Sequence, residues 1–364
     1  MIRTEQEVHQ LDQQETDSNL PTAWKSGSLK YDDLKPLAEG GTAKLFLTND
    51  QNLGRTVAYK TLHSDLCNSE VENKRFLREA RVTANIQHPG TLPVYELGRD
   101  RAGQLFFTMK KVDGRDLRKI LHDLAQEVPE VVDDFPLPRL LDILIQVCQT
   151  IAYAHDLGVI HRDLKPANII VGRFGEVYVL DWGLAKITGS TSIIQGEYTP
   201  EPEKKDLQLT PVGRHYGTPM YMSPEIAKGD ENIDGRSDVF SLGIILFEML
   251  TLQSFIEGED IIEIKKKLLD RPYPMPRERV PSKHLPKDLE AVCMRSLKRE
   301  RTERYQKVSE LLADLQSYRH GEMVSVYWYS GWEKLIRWNN RKAYWLIAII
   351  CTLAGAGLHA LLGR

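Results

Sequence analysis

The sequence predicts an α+β fold of two lobes, in which a small β-rich lobe precedes a larger and mostly helical one. Between residues 34 and 113, short apolar runs alternate with turn residues, which is typical of strands in a small sheet. Beyond Gly114, apolar residues recur at helical spacing instead. A stretch without charged residues at 343–363 predicts a single transmembrane helix after the two lobes.

Length and composition are those of a globular protein. The chain has 364 residues, which at roughly 150 residues per domain allows two domains or one large two-lobed domain. Its 48 basic and 51 acidic residues give a formal net charge of -3, so no general attraction to nucleic acid is expected. The four cysteines form no CxxC pair and predict neither a zinc site nor a disulfide framework. Residues 1–30 contain no secretory signal and predict a disordered leader.

The first lobe, residues 31–110, contains four strand candidates and one helix candidate. The strand candidates are LFLTND, TVAYKTL, TLPVYELG and QLFFTMKKV. The helix is predicted over residues 70–86, where apolar side chains fall on one face between charged ones. The expected lobe is therefore a small sheet with one main helix.

The second lobe, residues 114–320, is predicted to be helical. Apolar residues over 140–155 recur at i, i+3, i+4 and i+7, which makes one buried helix face. The run 239–250 is apolar almost all round and predicts a central buried helix. Residues 308–315 predict an amphipathic helix, whereas residues 271–286 contain too many prolines for a helix.

The last part of the chain predicts membrane insertion. Residues 343–363 would reach roughly 30 Å as a helix, which matches the hydrocarbon thickness of a bilayer. Aromatic residues and the cations Arg337, Arg341 and Lys342 precede them, as interfacial anchors and positive-inside charges do. The expected location is a single-pass inner or plasma membrane protein with its main body in the cytoplasm, joined by a juxtamembrane segment at 321–342. A C-terminal helix packed on the globular core is the alternative.

The residues that carry chemistry are concentrated in two motifs of the second lobe. The sequence HRDLKPAN occupies residues 161–168, and DWG occupies residues 181–183. In chain order they are preceded by LAEGGTAKL, VAYK and FLREA and followed by GTPMYMSPE and SDVFSLG. Over about residues 34–320 the chain thus resembles the protein-kinase family, in particular the bacterial, Hanks-type serine/threonine kinases. The resemblance implies the two-lobed protein-kinase fold, with an activation segment at 181–225.

The resemblance also implies the roles of the two motifs in phosphoryl transfer from ATP. Asp163 matches the residue that orients the attacking hydroxyl and accepts its proton, and Lys165 matches a lysine that contacts the γ-phosphate. Asn168 and Asp181 match the family's magnesium ligands, and their oxygen atoms suit Mg²⁺, with Mn²⁺ as a substitute. Trp182 stands where the family usually has Phe.

The first lobe supplies most of the nucleotide-binding residues that the resemblance implies. Lys60 matches the phosphate-anchoring lysine, and Glu79, on the predicted helix, matches its ion-pair partner. In the glycine-rich stretch, Ala38 and Ala43 replace the two outer glycines of the family pattern, which restricts the backbone. Gly40 keeps the position that approaches the phosphates most closely. The remaining nucleotide contacts, with adenine expected between the lobes, are assigned by motif position to Leu37, Gly41, Leu45, Ala58, Met109, Val112, Asp116 and Ile170.

Further family positions have structural roles. By motif position, Glu225 is expected to pair with Arg304, and Asp238 is expected to brace the backbone of the HRD loop. Thr218 is expected to bond to Asp163 and Lys165.

The function implied is that of a non-specific serine/threonine protein kinase, which phosphorylates Ser and Thr of proteins, itself included, in membrane-anchored signalling. A catalytically inactive pseudokinase that binds nucleotide or acts as a scaffold is a second hypothesis. It would account for Ala38, Ala43 and Trp182. A receptor or adaptor that dimerises through small residues of 343–363 is a third, and it is compatible with kinase activity. The segment before 343 resembles the juxtamembrane connection of large planctomycete kinases, so both a short tail-anchored kinase and a piece of a longer protein remain open.

Overall fold

The computed structural model describes residues 25–188 and 219–334, and it divides into two compact units. The first unit comprises residues up to 74 together with residues 94–111. The second unit comprises residues 75–93 and residues from 112 onward. Helix α1 (Glu70–Asn85) begins in the first unit and continues in the second.

The first unit is built on one antiparallel sheet of five strands. Its strand order is β1-β2-β3-β5-β4, and every neighbouring pair is antiparallel. The strands are β1 (Tyr31–Glu39), β2 (Ala43–Asp50), β3 (Arg55–Leu62), β4 (Val94–Arg99) and β5 (Leu105–Lys110). The prediction of a small β-rich lobe is confirmed.

Aromatic side chains form the core of this sheet. The ring of Tyr59 stacks on Phe106 with 4.7 Å between centroids, and Tyr31 meets both rings edge-on at 5.9 Å. The hydroxyl of Tyr31 donates to Glu96 Oε2 at 2.7 Å, so the polar end of this buried ring is satisfied. The edge-on contacts of Tyr31 and its satisfied hydroxyl hold β1 against the central strands.

Residues 25–30, the last part of the predicted leader, contact the sheet of the first unit. Gly27–Lys30 forms a short 3-10 helix, and Lys30 Nζ lies 2.8 Å from Glu96 Oε2. The Asn52 side chain donates to the Lys25 carbonyl at 2.8 Å. These contacts attach residues 25–30 to the sheet, and only residues 1–24 of the predicted leader lie outside the described residues.

The second unit is mostly helical, as predicted. Its helices are α2 (Leu117–Ala125), α3 (Pro129–Asp134), α4 (Leu137–Asp156), α5 (Pro224–Lys228), α6 (Arg236–Thr251), α7 (Ile261–Asp270), α8 (Pro276–Arg279), α9 (Lys287–Ser296) and α10 (Val308–Arg319). Two small antiparallel sheets accompany them, in the orders β6-β8-β9 and β7-β10. Their strands are β6 (Gly114–Asp116), β7 (Val159–Ile160), β8 (Ile169–Gly172), β9 (Val177–Val179) and β10 (Lys186–Ile187).

Helix α6 is the centre of the second unit. All of its residues from Ser237 to Thr251 are buried, which confirms the predicted central helix. Phe240 and Phe247 pack edge-on against Phe255, with centroids 6.2 and 5.2 Å apart. The approach of α9 is close, because a Cβ on Gly243 would lie 2.7 Å from Ser296 Cβ. Larger side chains at Gly243 would separate the two helices.

Two short helices lie where none was predicted. The prediction that residues 271–286 contain no helix is wrong for α8, whose first residue is Pro276. A proline at the first helical position loses nothing, because its missing N–H would have no partner inside the helix. Glu278 completes the start by accepting from Met275 N at 3.0 Å. Helix α3 likewise begins at a proline, within the acidic stretch before α4.

Several predictions fall on residues outside the described ranges. They are the leader at 1–24, the interior of the activation segment at 189–218 with Thr218, and the apolar segment 343–363. In the parts of the chain that the structure describes, no helix is both long and apolar enough to cross a bilayer.

A buried ion pair joins α5 to the chain before α10, as predicted. Arg304 donates to both carboxylate oxygens of Glu225 at 2.8 Å, and the two residues are 0% and 5% exposed. Burial alone would raise the pKa of Glu225, but the hydrogen bonds and charge of Arg304 hold it below its usual value. Arg304 also donates to the carbonyls of Lys298 and Arg236 at 2.7 and 2.9 Å. One guanidinium therefore ties four segments together.

We expect Arg304→Leu to lower the free energy of unfolding by about 3–5 kcal/mol, because Glu225 would remain as an uncompensated buried charge. The matched control is Arg319→Leu, which removes an arginine bound to both oxygens of the half-exposed Asp142 at 2.7 and 2.8 Å. The control should cost less than about 1 kcal/mol. Urea unfolding of the two variants measures both costs, and equal costs would contradict the central role of Arg304.

Candidate active site

The glycine-rich stretch forms the turn between β1 and β2. Gly40 N–H donates to the Ala43 carbonyl at 2.9 Å, which closes the turn around Gly41. The two alanines that depart from the family pattern both have strand conformation, with Ala38 paired to Leu45 and Ala43 paired to Leu62. Because strand conformation suits any residue with a Cβ, the loss of the outer glycines brings no backbone strain here.

A histidine that no sequence motif indicated holds this turn. His63 Nε2 lies 2.8 Å from the Gly40 carbonyl oxygen, and its Nδ1 lies 3.4 Å from Glu39 Oε1. The backbone N–H of His63 donates to the Thr42 carbonyl at 3.0 Å. Side chain and backbone of one residue at the end of β3 therefore fix both sides of the turn.

Four of the predicted nucleotide-binding residues of the first unit share one face of the sheet: Leu45, Ala58, Lys60 and Met109. Lys60 is opposite Leu45 on β2, and Ala58 is opposite Met109 on β5. Side chains of residues two apart on a strand, and of directly paired residues, point to the same face. Lys60 Nζ lies 5.7 Å from the Phe107 ring centroid on that face. Leu37 lies on the edge strand β1 and is 47% exposed.

The HRD motif brings together three predicted site residues of the second unit. Lys165 Nζ lies 2.7 Å from Asp163 Oδ2. Asn168 Nδ2 donates to the backbone carbonyl of Asp163 at 2.9 Å and lies 3.3 Å from its Oδ2. A 3-10 turn at Pro166–Asn168 makes this possible, because it folds Asn168 back toward Asp163. The carboxylate, ammonium and amide thus form one compact group.

A buried carboxylate holds the backbone of this loop, as predicted. Asp238 accepts from the N–H groups of His161 and Arg162 at 2.9 Å each, and from His155 Nε2 at 2.7 Å. Arg162 has a φ of 65°, a conformation that costs free energy in a residue other than glycine and that the two hydrogen bonds stabilise. Burial alone would raise the pKa of Asp238, but the hydrogen bond and charge of His155 hold it below its usual value.

His161, the histidine of the HRD motif, links the loop that contains this motif to the loop that contains the DWG motif. Its Nδ1 accepts from Asp163 N at 3.3 Å, so Nε2 carries the proton that it donates to the Leu180 carbonyl at 3.0 Å. The same ring packs against Trp182, 4.5 Å between centroids. His161 therefore connects Asp163 with the residues on both sides of Asp181.

The side chain of Trp182 lies in the core of the second unit. Its side chain is fully buried, and its Nε1 donates to the Val179 carbonyl at 3.3 Å. The hydrogen bond is one that Phe, the usual residue of the family, cannot make. Asp181 itself has a left-handed backbone, with a φ of 63°, at the start of the 3-10 turn. Glu79 is nearby, since a Cβ on Gly183 would lie 3.9 Å from its Oε2.

The other predicted nucleotide contacts of the second unit lie around β6 and β8. Asp116 on β6 is paired with Ile170 on β8. One oxygen of Asp116 caps α2 by accepting from Lys119 N at 2.9 Å. Val112 lies between β5 and β6.

The donor atoms of Asn168 and Asp181 fit a magnesium ion. The Asn168 side-chain nitrogen is used by Asp163, which leaves the carboxamide oxygen as the available ligand atom. Carboxamide and carboxylate oxygens are the hard ligands that Mg²⁺ prefers, and it usually keeps water and substrate phosphates as its others.

The electrostatics of Asp163 suit a proton acceptor. Burial raises the pKa of its carboxyl group, and the negative charge of Asp181 raises it further, whereas the ammonium group of Lys165 lowers it. The net direction is upward. A raised pKa gives the carboxylate more affinity for a proton than an ordinary surface carboxylate has.

The buried carboxyl group of Glu248 was not anticipated from the sequence. Glu248 on α6 accepts from the Tyr221 hydroxyl at 2.9 and 3.1 Å. Burial raises the pKa of Glu248 to about 7, although the hydrogen bond from Tyr221 opposes this shift. Tyr221 belongs to the GTPMYMSPE motif, so this contact ties the end of the activation segment to the central helix.

Comparisons with known proteins agree with this arrangement. The family model described as the protein kinase domain matches residues 31–315. The serine/threonine-protein kinase PknD of Protochlamydia amoebophila is 36% identical over 296 residues, which are 80% of this chain and 30% of that protein. The protein of the same name from Chlamydia pneumoniae is 34% identical over 296 residues, 80% of this chain and 31% of that protein.

The chain therefore spans less than a third of the length of these two curated relatives. The matched region contains both the sheet with the glycine-rich turn and the HRD and DWG loops. Because the family model covers most of the chain, and the motifs occur in the family's order on the expected strands and loops, the chain belongs to the protein kinase family.

Proposed function

We propose that the chain is a serine/threonine protein kinase, which transfers the γ-phosphoryl group of ATP to Ser and Thr hydroxyls of proteins, its own included. The observation that supports this most directly is the group formed by Asp163, Lys165 and Asn168, with Lys165 Nζ 2.7 Å from the Asp163 carboxylate. The family match and the names of the relatives point in the same direction.

In the proposed reaction, Asp163 orients the substrate hydroxyl and accepts its proton. The hydroxyl oxygen forms a bond to the γ-phosphorus while the bond from that phosphorus to the bridging oxygen of ADP breaks. Lys165 lies beside this path, where its positive charge stabilises negative charge on the phosphoryl oxygens. Asn168 and Asp181 would hold magnesium, which when bound neutralises the charge on the phosphates.

We assign the nucleotide to the residues that the family resemblance indicates. Lys60 would contact its phosphates with Glu79 as the partner of the lysine, and the turn at Gly40 would cover the phosphates. Leu45, Ala58 and Met109 share one face of the sheet, where an adenine ring would find apolar contacts.

The pseudokinase hypothesis loses part of its support, because the replacements at Ala38, Ala43 and Trp182 fit the structure. Ala38 and Ala43 lie in paired strands, where a Cβ is tolerated, and Trp182 is buried with its ring nitrogen bonded. The departures from the family pattern are thus accommodated locally. None of them removes a carboxylate, an amide or a cation that phosphoryl transfer needs.

We further propose that residues 343–363 anchor the chain in the inner or plasma membrane, with the kinase domain in the cytoplasm. The proposal rests on 21 residues without Asp, Glu, Lys or Arg, preceded by Arg337, Arg341 and Lys342. The small residues within this segment suit helix pairing and hence a homodimer.

We expect Asp163→Asn to lower transfer of labelled phosphate from Mg-ATP by about 100- to 10,000-fold, because the proton acceptor is lost. Asp181→Ala and Lys60→Met should likewise abolish transfer, although both variants should still fold in the absence of ATP. The matched control is Asp270→Asn, at an exposed position at the end of α7. Label on Ser or Thr that persists in Asp163→Asn would overturn the assignment. ATP binding without any transfer by the natural chain would establish the scaffolding pseudokinase instead.

The pH dependence of the reaction tests Asp163 separately. Only the ionised carboxylate accepts a proton, so kcat/KM falls as the pH drops through its pKa. Because the ammonium group of Lys165 lowers that pKa, Lys165→Ala should move the acid limb of the kcat/KM profile to higher pH. Lys165→Arg keeps the charge and should leave the limb in place even where the rate falls. An acid limb that stays put or moves to lower pH in Lys165→Ala would contradict the role of Asp163.

Membrane attachment predicts that the full chain stays with the membrane fraction during alkaline carbonate extraction. Ile349→Arg combined with Leu353→Arg should release it, because each arginine near a helix centre costs about 2.5–3.5 kcal/mol of insertion free energy. The control is Ile349→Leu with Leu353→Ile. Release of the natural chain by carbonate would disprove the anchor.

A further inference from the structure

The chain after α10 is folded back onto the second unit by buried carboxylates. Asp314 on α10 accepts from Ser325 N at 2.7 Å and from Ser325 Oγ at 2.8 Å. It also accepts from the Tyr305 hydroxyl at 2.6 Å, and it is 4% exposed. A charge buried this far requires such partners, so the contact with Ser325 is built into the fold.

A second carboxylate fixes the same part of the chain a few residues later. The Tyr329 hydroxyl donates to Asp288 Oδ2 at 3.1 Å and accepts from Val324 N at 3.0 Å. Val324 and Tyr329 are 3% and 5% exposed. We call residues 322–334 the docked segment. It lies entirely beyond the matched kinase domain, which ends at residue 315, and yet Val324 and Tyr329 belong to the core.

The docked segment nevertheless presents large apolar side chains to solvent. Trp328 is 90% exposed and Trp332 is 76% exposed, although Trp328 is the immediate neighbour of the buried Tyr329. The exposure is therefore a consequence of the fixed backbone and not of a free chain end. Tryptophan is favoured at membrane interfaces, where its ring meets the acyl boundary and its N–H meets water.

A helical turn begins at the end of the docked segment, in residues 331–334. Ser330 N donates to Glu333 Oε2 at 2.7 Å, and Glu333 N donates to Ser330 Oγ at 3.3 Å, which is a capping box. In the helical turn that follows, Lys334 Nζ lies 5.5 Å from the Trp328 ring centroid. Only the eight residues 335–342 separate this turn from the apolar segment, a span of at most about 28 Å even if extended.

Positive charge lies on the surface beside the docked segment. An open cavity of about 470 Å³ is lined by Ala291, Met294, Arg295, Lys298, Ser325 and Val326. Within residues 25–188 and 219–334, neither Arg295 nor Lys298 pairs with an acidic side chain. The intervening residues 335–342 add three more cations and no acid.

We propose that one face, which consists of Trp328 and Trp332 on the docked segment and of Arg295 and Lys298 in the cavity that Ser325 and Val326 of that segment also line, rests on the surface of a bilayer that contains anionic phospholipid. The inference rests on the membrane attachment proposed above and deepens it. The short span to residue 343 keeps the face near the bilayer, the indole rings suit its interface, and the cations complement the phosphate groups. The docked segment then holds the second unit against the membrane in one orientation.

The test uses the full chain in lipid nanodiscs that contain phosphatidylglycerol and phosphatidylcholine. A fluorophore is attached at Trp328→Cys in a background where Cys67 and Cys351 are serine, since Cys148 and Cys293 are fully buried. Nitroxide-labelled lipid should quench this fluorophore. The matched control is Phe174→Cys, which replaces another aromatic residue that is 90% exposed, in the turn between β8 and β9. It should be quenched much less.

The cations are tested in the same assay. Arg295→Gln with Lys298→Gln should lower the docking equilibrium constant about 30-fold, the expected effect of two cations near an anionic surface. Lys265→Gln with Lys266→Gln, on α7, removes the same charge elsewhere and should leave quenching unchanged. Discs of phosphatidylcholine alone should reproduce the loss.

The outcomes separate this inference from the membrane anchor. If the chain resists carbonate extraction but the fluorophore at 328 is quenched no more than that at 174, the inference is overturned and the anchor stands. The inference would also be overturned if the fluorophore at position 328 were shielded from a water-soluble quencher in detergent without lipid. Another part of the chain or a second copy would then cover the face. Release by carbonate would instead remove the anchor on which the inference rests.

Discussion

The candidate active site depends on one buried carboxylate, that of Asp238. It is fully buried on α6, the helix whose residues 237–251 are all inside the protein, so its position is set by the core. The N–H groups of His161 and Arg162 both bind it at 2.9 Å. A charge in such a place is stable only with partners, and these partners are the backbone of the HRD loop. The left-handed Arg162 and the direction of Asp163 follow from this constraint.

Individual contacts of the HRD loop position the other residues of the candidate active site. His161 is held by its backbone, and its ring donates to Leu180 and packs on Trp182. Asp181 lies between these two contacts in the sequence, so the imidazole of His161 positions the DWG loop relative to the HRD loop. Asn168 closes the group by binding the Asp163 carbonyl at 2.9 Å. In the first unit, His63 does comparable work for the glycine-rich turn, although the contacts there are local ones.

The features that could be predicted are those that chemistry or burial imposes on the sequence itself. The HRD and DWG residues stand in order because phosphoryl transfer needs each of them, and α6 was predictable because a helix buried all round is apolar all round. His63 was missed because it belongs to no motif, and its only sequence signal is its place three residues after Lys60. The helix at Pro276 depends on a cap, and Asp314 with Ser325 depends on tertiary contacts, which periodicity does not reveal.

The docked segment shows how a region outside the family pattern becomes part of the domain. Asp288 lies on α9 and Asp314 on α10, and both are buried and accept hydrogen bonds from residues that follow α10. Helix α9 in turn packs so closely on α6 that only glycine fits at 243. The packing is thus continuous from the docked segment to the helix that carries Asp238. Since close-packed interiors transmit strain, a displacement of this segment is opposed by the same core that positions the HRD loop.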